Sequence, residues 1–513
     1  MGLSKTLYQY YLQCPKLFWL KLNRKAQKDI FTPNKSLDSI MENGILVGEL
    51  ACRLYPNGTR ISFEDSSFFQ KAEMTQKLIK EHTKYIYEAT FIYDDIVVMV
   101  DILEVLENGS VVINEVKSST KKSKLSDDKK AKEKYLTDIA LQYYVIQNLG
   151  YNIACANLIR INANYERYGE LELEKLFVID DVTQEIIDLQ TITTQNLQEA
   201  KSFLHTQKSE PQTTIGLHCF TPYECEAKEY CFYKVLEIPR QDTIFNIVGD
   251  QSFTKKKMFE LYKQNLLKLD DIKDTSCFKD KQRLQIQSFQ AKSRVVKKDE
   301  IKDFLQKLTY PIYHLDFETF SPVVPLWDNT KPNMKIPFQY SLHIEYENGD
   351  TEHKEFLPQT FCDPRLELTG QLIKDIPQNA CVLAYHMSFE KDVLKSLAET
   401  FPQYAEHLLN IIANLKDLES PFKERHFYDY KQGGSHSIKV IQPILAPHIE
   451  NGYKDLAKQG GIANGGDAML AFPAMESMDK DSIYKTRQSL LAYCKLDTLA
   501  MVEVLRGLRK LVV

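Results

Sequence analysis

Hydrophobic and polar positions alternate with period two in some stretches of this chain and with a helical period in others. Tyr313-His-Leu-Asp-Phe-Glu-Thr-Phe320 sets Tyr313, Leu315 and Phe317 against His314, Asp316 and Glu318. It reads as a strand on which Asp316 and Glu318 share one face. Ile96–Leu106 and Ser110–Ser118 read as two more strands, joined at the hairpin signal Glu107-Asn-Gly109. Asp138–Gln147 is an amphipathic helix carrying Gln142 and Tyr143/Tyr144. Leu490–Leu499 is helical in pattern, and its four-residue spacing places Tyr493 and Asp497 on one face. Leu3–Leu20 looks like two short helices meeting at Cys14-Pro15, because proline suits the first turn of a helix. The apolar run Ala380–Ala384 leads into a helical segment opened by Tyr385-His-Met-Ser-Phe-Glu390. Residues 42–54 read as a small-residue turn into a helix, and Phe253–Lys263 and Leu266–Asp271 as short helices in a charged connector.

Loop length decides the hairpin register. A two-residue Asn-Gly turn puts Asp101 opposite Val116. A three-residue loop with Gly109 in the left-handed position sets Asp101 across from Glu115, so that Asp101, Glu115 and Lys117 share a face. The three-residue loop is the expectation.

Two carboxylates side by side repel unless a cation sits between them, and a divalent metal is the usual answer. Asp-x-Glu alone arises by chance about once in 250–300 residues, so its partners matter. The ordered set Asp316-x-Glu318, then Phe389-Glu390, then Tyr493-x-x-x-Asp497 resembles the tyrosine-type DEDD exonucleases of the ribonuclease H-like superfamily. The resemblance implies two metal ions held by Asp316, Glu318, Glu390 and Asp497, with Tyr493 helping to place the attacking water. The second motif of that family usually supplies Asp, and Glu390 is one methylene longer; Asp392 and Asp417 are the fallback ligands. The fold it implies makes Phe338–Tyr346 the antiparallel neighbour of the catalytic strand.

Asp101 followed by Glu115-x-Lys117 on the next strand resembles the PD-(D/E)XK nuclease core. The helix with Gln142 and Tyr143/Tyr144 resembles the glutamine-tyrosine motif of its RecB branch. By that resemblance Asp101 and Glu115 hold Mg²⁺ or Mn²⁺, while Lys117 orients water and offsets charge. RecB-type enzymes carry a histidine ligand in an early helix. Here Gly44-Ile-Leu-Val-Gly-Glu49 has Gly48 at that place, with Glu49 as a substitute. Between the two elements, residues 121–134 hold seven lysines against three acids, either a solvated loop or a contact to a DNA backbone.

Cys219, Cys225 and Cys231 are spaced with five residues between neighbours, and Cys14 at the far end of the same region makes four. Four thiolates suit iron–sulfur or zinc, and the tight Cys-x-x-Cys pairs of structural zinc are absent. One cysteine before the nuclease core and three after it resembles the RecB-like nucleases whose four cysteines bind a [4Fe–4S] cluster, which makes Cys14, Cys219, Cys225 and Cys231 its expected ligands. Cys52, Cys155, Cys277, Cys362, Cys381 and Cys494 read as small buried residues. Ser435, Ser437 and Lys439 suit either a phosphate at a helix start or capping.

At 513 residues the chain exceeds one core, and 43% apolar with 26% charged residues is ordinary for a globular protein. A net charge of −5 excludes a broadly basic coat but leaves room for a local basic groove. The start of the chain lacks the apolar core of a signal peptide and no run approaches membrane-spanning length, so a cytoplasmic protein with reduced cysteines is expected. The whole pattern resembles a bacterial family that fuses a RecB-like domain with a cysteine cluster to a DEDD exonuclease-like domain. The expected fold is α/β: a RecB-like mixed sheet with flanking helices over 1–235, a helical connector over 236–305, and a ribonuclease H-like domain over 306–513. The implied function is a metal-dependent nuclease that trims DNA from 3′ ends, with a second site that cuts or only grips. A non-catalytic nucleic-acid clamp and an RNA-directed exonuclease are the other readings. Pro322–Ile336, a proline-containing loop, is long enough to be functional.

Overall fold

A computed structural model describes residues 2–513 except 25–29, 32–35, 62–66, 122–124, 241–242, 249–250, 450–451 and 459–460, with no side-chain description for 36–39, 121, 125–131 and 251–254. The fold is mixed α/β, in two compact units. The first comprises residues 1–237 and 322–334, the second 238–321 and 335–513.

The first unit is built on a seven-stranded sheet. Its strands are β1 (Leu3–Ser4), β2 (Thr59–Arg60), β3 (Tyr85–Tyr93), β4 (Ile96–Val105), β5 (Val111–Lys121), β6 (Ile153–Asn162) and β7 (Phe177–Asp181). They run β2-β3-β4-β5-β6-β7, with β1 beside β4. β3, β4 and β5 form an antiparallel meander and β7 is antiparallel to β6, whereas β2 and β3, β1 and β4, and β5 and β6 are parallel. A parallel pair needs a crossover, and helix α5 (Leu125–Asn148) supplies the one between β5 and β6. In α5, Ile139, Val145 and Ile146 pack with Ile86, Phe91, Val100 and Ile113 of the sheet. The opposite face, with Tyr87, Ile102 and Ile159, packs against Val47, Leu50 and Ala51 of helix α3 (Ser36–Cys52). With both faces covered, β4 is apolar at every position except Asp101 and Glu104.

Helices α1 (Lys5–Gln13) and α2 (Pro15–Asn23) meet at Cys14, with Ser4 capping the first by accepting from Leu7 N and Pro15 at the first turn of the second. Ser67 caps α4 (Phe68–Lys80) through a reciprocal box with Gln70. The β4–β5 loop is the three-residue one: Leu106 N donates to Ser110 O, Gly109 N donates to Leu106 O, and Gly109 has φ 79°.

Three expectations are corrected here. Residues 42–52 continue one helix with no turn, since the apolar stripe of Val47, Leu50 and Ala51 outweighs the helix cost of Gly44 and Gly48. The lysine-rich run is not a loop throughout, because α5 starts at Leu125. Residues 122–124 of that run lie outside the described residues. Residues 238–305 are no separate connector: β8 (Arg294–Val296) pairs with β14 (Phe427–Asp429), and Ile301 and Phe304 join a core with Phe422, Ile441 and Leu505.

The second unit has a five-stranded sheet of β9 (Ile312–Phe320), β10 (Ile336–Glu345), β11 (Thr351–Phe356), β12 (Cys381–Ala384) and β13 (Leu415–Asp417). The order is β11-β10-β9-β12-β13, with the first three antiparallel and β12 and β13 parallel to β9. A 31-residue helix, Lys480–Lys510, capped by Asp479, lies against β9 and β10. Its contact with the strands is apolar and polar together. Gln339 and Ser341 of β10 stand opposite Glu318 and Asp316 of β9, and both reach this helix. Gln339 Nε2 donates to Leu490 O at 3.0 Å, and Ser341 Oγ lies 2.7 Å from Thr498 Oγ1. No helix among the described residues is long and apolar enough to cross a membrane.

Candidate functional site

In the second unit, β9 presents Asp316 and Glu318, the first turn of the helix Ser388–Thr400 presents Glu390, and the helix Lys480–Lys510 presents Tyr493, Cys494 and Asp497. Glu318, Glu390, Tyr493 and Cys494 are buried, while Asp316 and Asp497 are partly buried. Burial raises the proton affinity of all four carboxyls, and for Asp316, Glu318 and Glu390 like-charged neighbours add to it. Asp497 presses on Asp316, and Asp316 on both Glu318 and Glu390. One oxygen of Glu390, Oε2, is buried with no hydrogen-bond partner. Asp316, Glu318 and Cys494 offer ligand atoms within 4.8 Å of one another, the group of this kind found among the described residues.

Lys439 opposes this charge. It comes from the helix Ile438–Leu445, donates to Ala463 O at 3.1 Å and to Tyr493 Oη at 3.3 Å, and stands over the rings of Tyr453 and Tyr493. Tyr453 donates its hydroxyl proton to Asp497 Oδ1. Burial and the surrounding carboxylates push the Tyr493 hydroxyl far up, so it stays protonated at neutral pH. A donor set dominated by carboxylate oxygens beside one thiol, an orphaned buried oxygen and a surplus of negative charge fit hard divalent cations such as Mg²⁺ or Mn²⁺. Asp392 is exposed, whereas Asp417, whose Oδ1 accepts from His386 N and Glu419 N, stands near enough to Glu390 to raise its proton affinity. Lys439 faces the carboxylates rather than a phosphate at the helix start, and Ser435 Oγ accepts from Ser437 N. Nearby in sequence, buried Glu419 accepts from His386 Nδ1 at 2.8 Å and His436 Nδ1 at 2.7 Å.

The first unit assembles its own carboxylates differently. The ladder runs Ile102↔Asn114, and one further step sets Asp101 opposite Glu115. Asp101 Oδ2 accepts from Val116 N at 2.7 Å. Glu115 Oε1 accepts from Lys117 at 2.7 Å and Lys5 at 2.9 Å, and its Oε2 accepts from Gln142 at 2.6 Å. Lys117 also meets Asp138 at 2.8 Å. Burial and Glu115 push the Asp101 carboxyl up to about 7. Burial acts the same way on Glu115, but Lys117, Lys5 and Gln142 overcome it and hold Glu115 down at about 2. Tyr143 packs in the core and Tyr144 against Tyr93. Glu49 is no substitute for the missing histidine, since it is exposed and paired with Arg60 at 2.9 Å. Glu88 on β3 is the carboxylate next to Asp101 instead. It is held at φ 58° in mid-strand, and its proton affinity is raised by burial and by Glu115 among its neighbours.

Cys14, Cys219, Cys225 and Cys231 line one pocket of the first unit. Burial pushes the thiols of Cys225 and Cys231 up to about 12 and raises Cys219. No three of these sulfurs lie within 4.8 Å of one another, whereas a single tetrahedral zinc requires sulfur separations of ~3.8 Å. The four thiols could hold a metal group, and the pocket they line is narrow, about 10 Å³. Of the other cysteines, Cys277 and Cys362 are exposed rather than buried because they sit in turn segments, and Cys494 belongs to the carboxylate site.

Sequence reasoning missed Lys5, Glu88, Asp138, Tyr453 and the place of Cys494. Glu88 carried a signal as a lone acid inside the apolar run Tyr85–Tyr93, Asp138 as the residue one turn before Gln142, and Cys494 as the neighbour of Tyr493. Lys5 and Tyr453 arrive from distant segments.

Residues 313–437 match the family described as "Domain of unknown function (DUF2779)". The matched stretch includes Asp316, Glu318, Glu390 and the His386–Glu419–His436 cluster, and stops before Tyr493 and Asp497. The chain is 26% identical over 220 residues to "Uncharacterized protein MG366 homolog" of Mycoplasma pneumoniae, covering 40% of this chain and 33% of that protein. It is 26% identical over 230 residues to "Uncharacterized protein MG366" of Mycoplasma genitalium, covering 42% and 34%. The chain thus aligns with about a third of the length of the curated relatives it matches.

Proposed function

We propose that this protein is a metal-dependent phosphodiesterase acting on nucleic-acid ends, with Asp316, Glu318, Glu390 and Asp497 as its catalytic carboxylates. The observation that carries the reading is the desolvated quartet itself, four acids whose proton affinity burial raises, with a buried oxygen of Glu390 unpartnered. Four such charges are costly without cations between them. The sheet order, three antiparallel strands followed by two parallel ones, supports the ribonuclease H-like resemblance, and Asp316 and Glu318 lie on its central strand.

Asp316, Glu318, Glu390 and Asp497 would hold divalent ions, whose bound chemistry would lower the pKa of a water and offset charge on the phosphate. Tyr493, kept protonated, presents a hydroxyl beside Asp497 that can hold a water in line. Lys439 keeps that hydroxyl in place and supplies positive charge at the rim. Thr498, bound to Ser341 and His343, fixes the helix that carries Tyr493 and Asp497 against the strand partner of Asp316. DNA as substrate and the 3′-to-5′ direction follow from the resemblance to DEDD exonucleases.

The first unit reads as a RecB-like clamp with a [4Fe–4S] cluster on Cys14, Cys219, Cys225 and Cys231. A gripping rather than cutting role is favoured by Lys5 and Lys117, which already occupy one oxygen of Glu115. The test is hydrolysis of end-labelled single-stranded DNA and RNA in Mn²⁺ by anaerobically purified protein. Asp316→Asn is expected to lower the rate on the order of a thousandfold. Unchanged hydrolysis in that variant, or none in the wild type, overturns the reading.

A further inference from the structure

Immediately after Lys117, β5 departs from regular pairing. Lys117 is opposite Arg160 and Thr120 opposite Ile161, so Ser118 and Ser119 are two extra residues in β5. Irregularities of this kind re-aim side chains and are frequent beside active sites. Here Ser118, Ser119 and Thr120 line a cavity of about 590 Å³ together with Lys117, Lys134 and Tyr223. Tyr135 and Asp138 of α5 complete its chemistry. The Ser119 hydroxyl is buried and has no hydrogen-bond partner. Such an orphan costs free energy unless a ligand or water meets it.

The wall chemistry divides in two. One part offers hydroxyls and the Lys134 ammonium. The other offers aromatic faces, with the Lys134 ammonium 4.6 Å from the Tyr135 ring centre and 5.0 Å from that of Tyr223. Tyr223 is exposed, so one ring face is open to a ligand. Asp138 also lines the cavity and would repel an anion, but its carboxylate is already met by Lys117 and by Gln9. Hydroxyls and an ammonium suit phosphate oxygens, open rings suit a base, and the volume falls in the ordinary range for small-ligand sites.

We infer that this cavity is a nucleotide subsite of the first unit, taking one nucleoside phosphate of a single strand. Ser119 and Lys134 hold the phosphate and Tyr223 stacks on the base. The inference rests on the reading of the protein as acting on nucleic acids, and it gives the first unit a grip that does not depend on a bound metal.

Binding of thymidine 5′-monophosphate, thymidine and inorganic phosphate to the full chain in chelator is to be measured by calorimetry. Anisotropy of a labelled oligothymidylate is followed in parallel. The monophosphate is expected to bind more tightly than either fragment. Tyr223→Ala should weaken it about tenfold. Lys134→Met should weaken monophosphate and phosphate but spare thymidine. Ser119→Ala, which removes only the orphaned hydroxyl, is a control that leaves the fold intact and should weaken the phosphate-bearing ligands alone. Equal binding of phosphate and monophosphate, indifference to Tyr223→Ala, or no binding overturns the inference. If binding fails while Mn²⁺-dependent hydrolysis sensitive to Asp316→Asn persists, the subsite alone is wrong. If the wild type neither binds nor hydrolyses, the functional reading falls with it.

Discussion

Glu115 in the first unit accepts from Lys5, Lys117 and Gln142, whereas Glu390 in the second keeps one buried oxygen with no partner. Both sites gather acids in a desolvated place, yet they settle the charge differently. In the first, two lysines face Glu115, Asp101 and Asp138, and the resulting balance holds Glu115 ionised. In the second, Lys439 faces Asp316, Glu318 and Asp497 and Lys335 faces Glu390, yet all four acids are pushed toward the protonated form. The comparison teaches that motif residues alone do not say whether a site waits for a cation. What decides it is whether the protein brings its own positive charge to the same oxygens.

The largest expected effect concerns catalysis. Asp497→Asn should abolish Mn²⁺-dependent release of nucleotides, by on the order of a thousandfold, while Glu115→Gln should change it less than tenfold, as measured on end-labelled strands. Equal losses from the two variants would break the distinction between the sites. Next comes stability. Glu115→Gln leaves Lys5 and Lys117 without their shared carboxylate and should cost about 3 kcal/mol in denaturant titration. Asp316→Asn removes one of four repelling charges and should stabilise the metal-free protein by roughly 1–2 kcal/mol. Opposite signs for these two amides are the sharpest form of the comparison.

A smaller effect is the pH dependence of the metal-free protein. The quartet carboxyls bind protons in the folded state that the unfolded chain releases above pH ~4. Their contribution is therefore full below that pH and is lost as pH rises through the elevated folded values. Thermal melts in chelator should show the second unit weakening from weakly acid to neutral pH, with Mn²⁺ restoring it more at the higher pH. The smallest effect is at Lys5. Lys5→Met frees one oxygen of Glu115 and should tighten Mn²⁺ binding to the first unit about tenfold in calorimetry, with the quartet disabled by Asp497→Asn.

Much of the architecture was legible from local pattern. The alternation in Tyr313–Phe320 placed Asp316 and Glu318 on one face, and the Glu107-Asn-Gly109 loop set the register that brings Asp101 to Glu115. Cys14-Pro15 marked the break between α1 and α2. These succeed because strand period, turn length and proline act over a few residues. The reading failed where packing overrode local propensity, as for Gly44 and Gly48 inside α3 and for the segment 238–305, drawn into the second unit by β8 and its core residues.

By itself the sequence determined which acids, cysteines and tyrosines the chain can offer and which of them share a face. Only the tertiary structure decided their electrostatics. Lys5 reaches Glu115 across 110 positions, and Lys439 reaches Tyr493 across 54. Tyr453 reaches Asp497 in the same way, from another helix. Charge balance in a desolvated site depends on distances of a few ångströms between remote segments, and no local spacing encodes those distances.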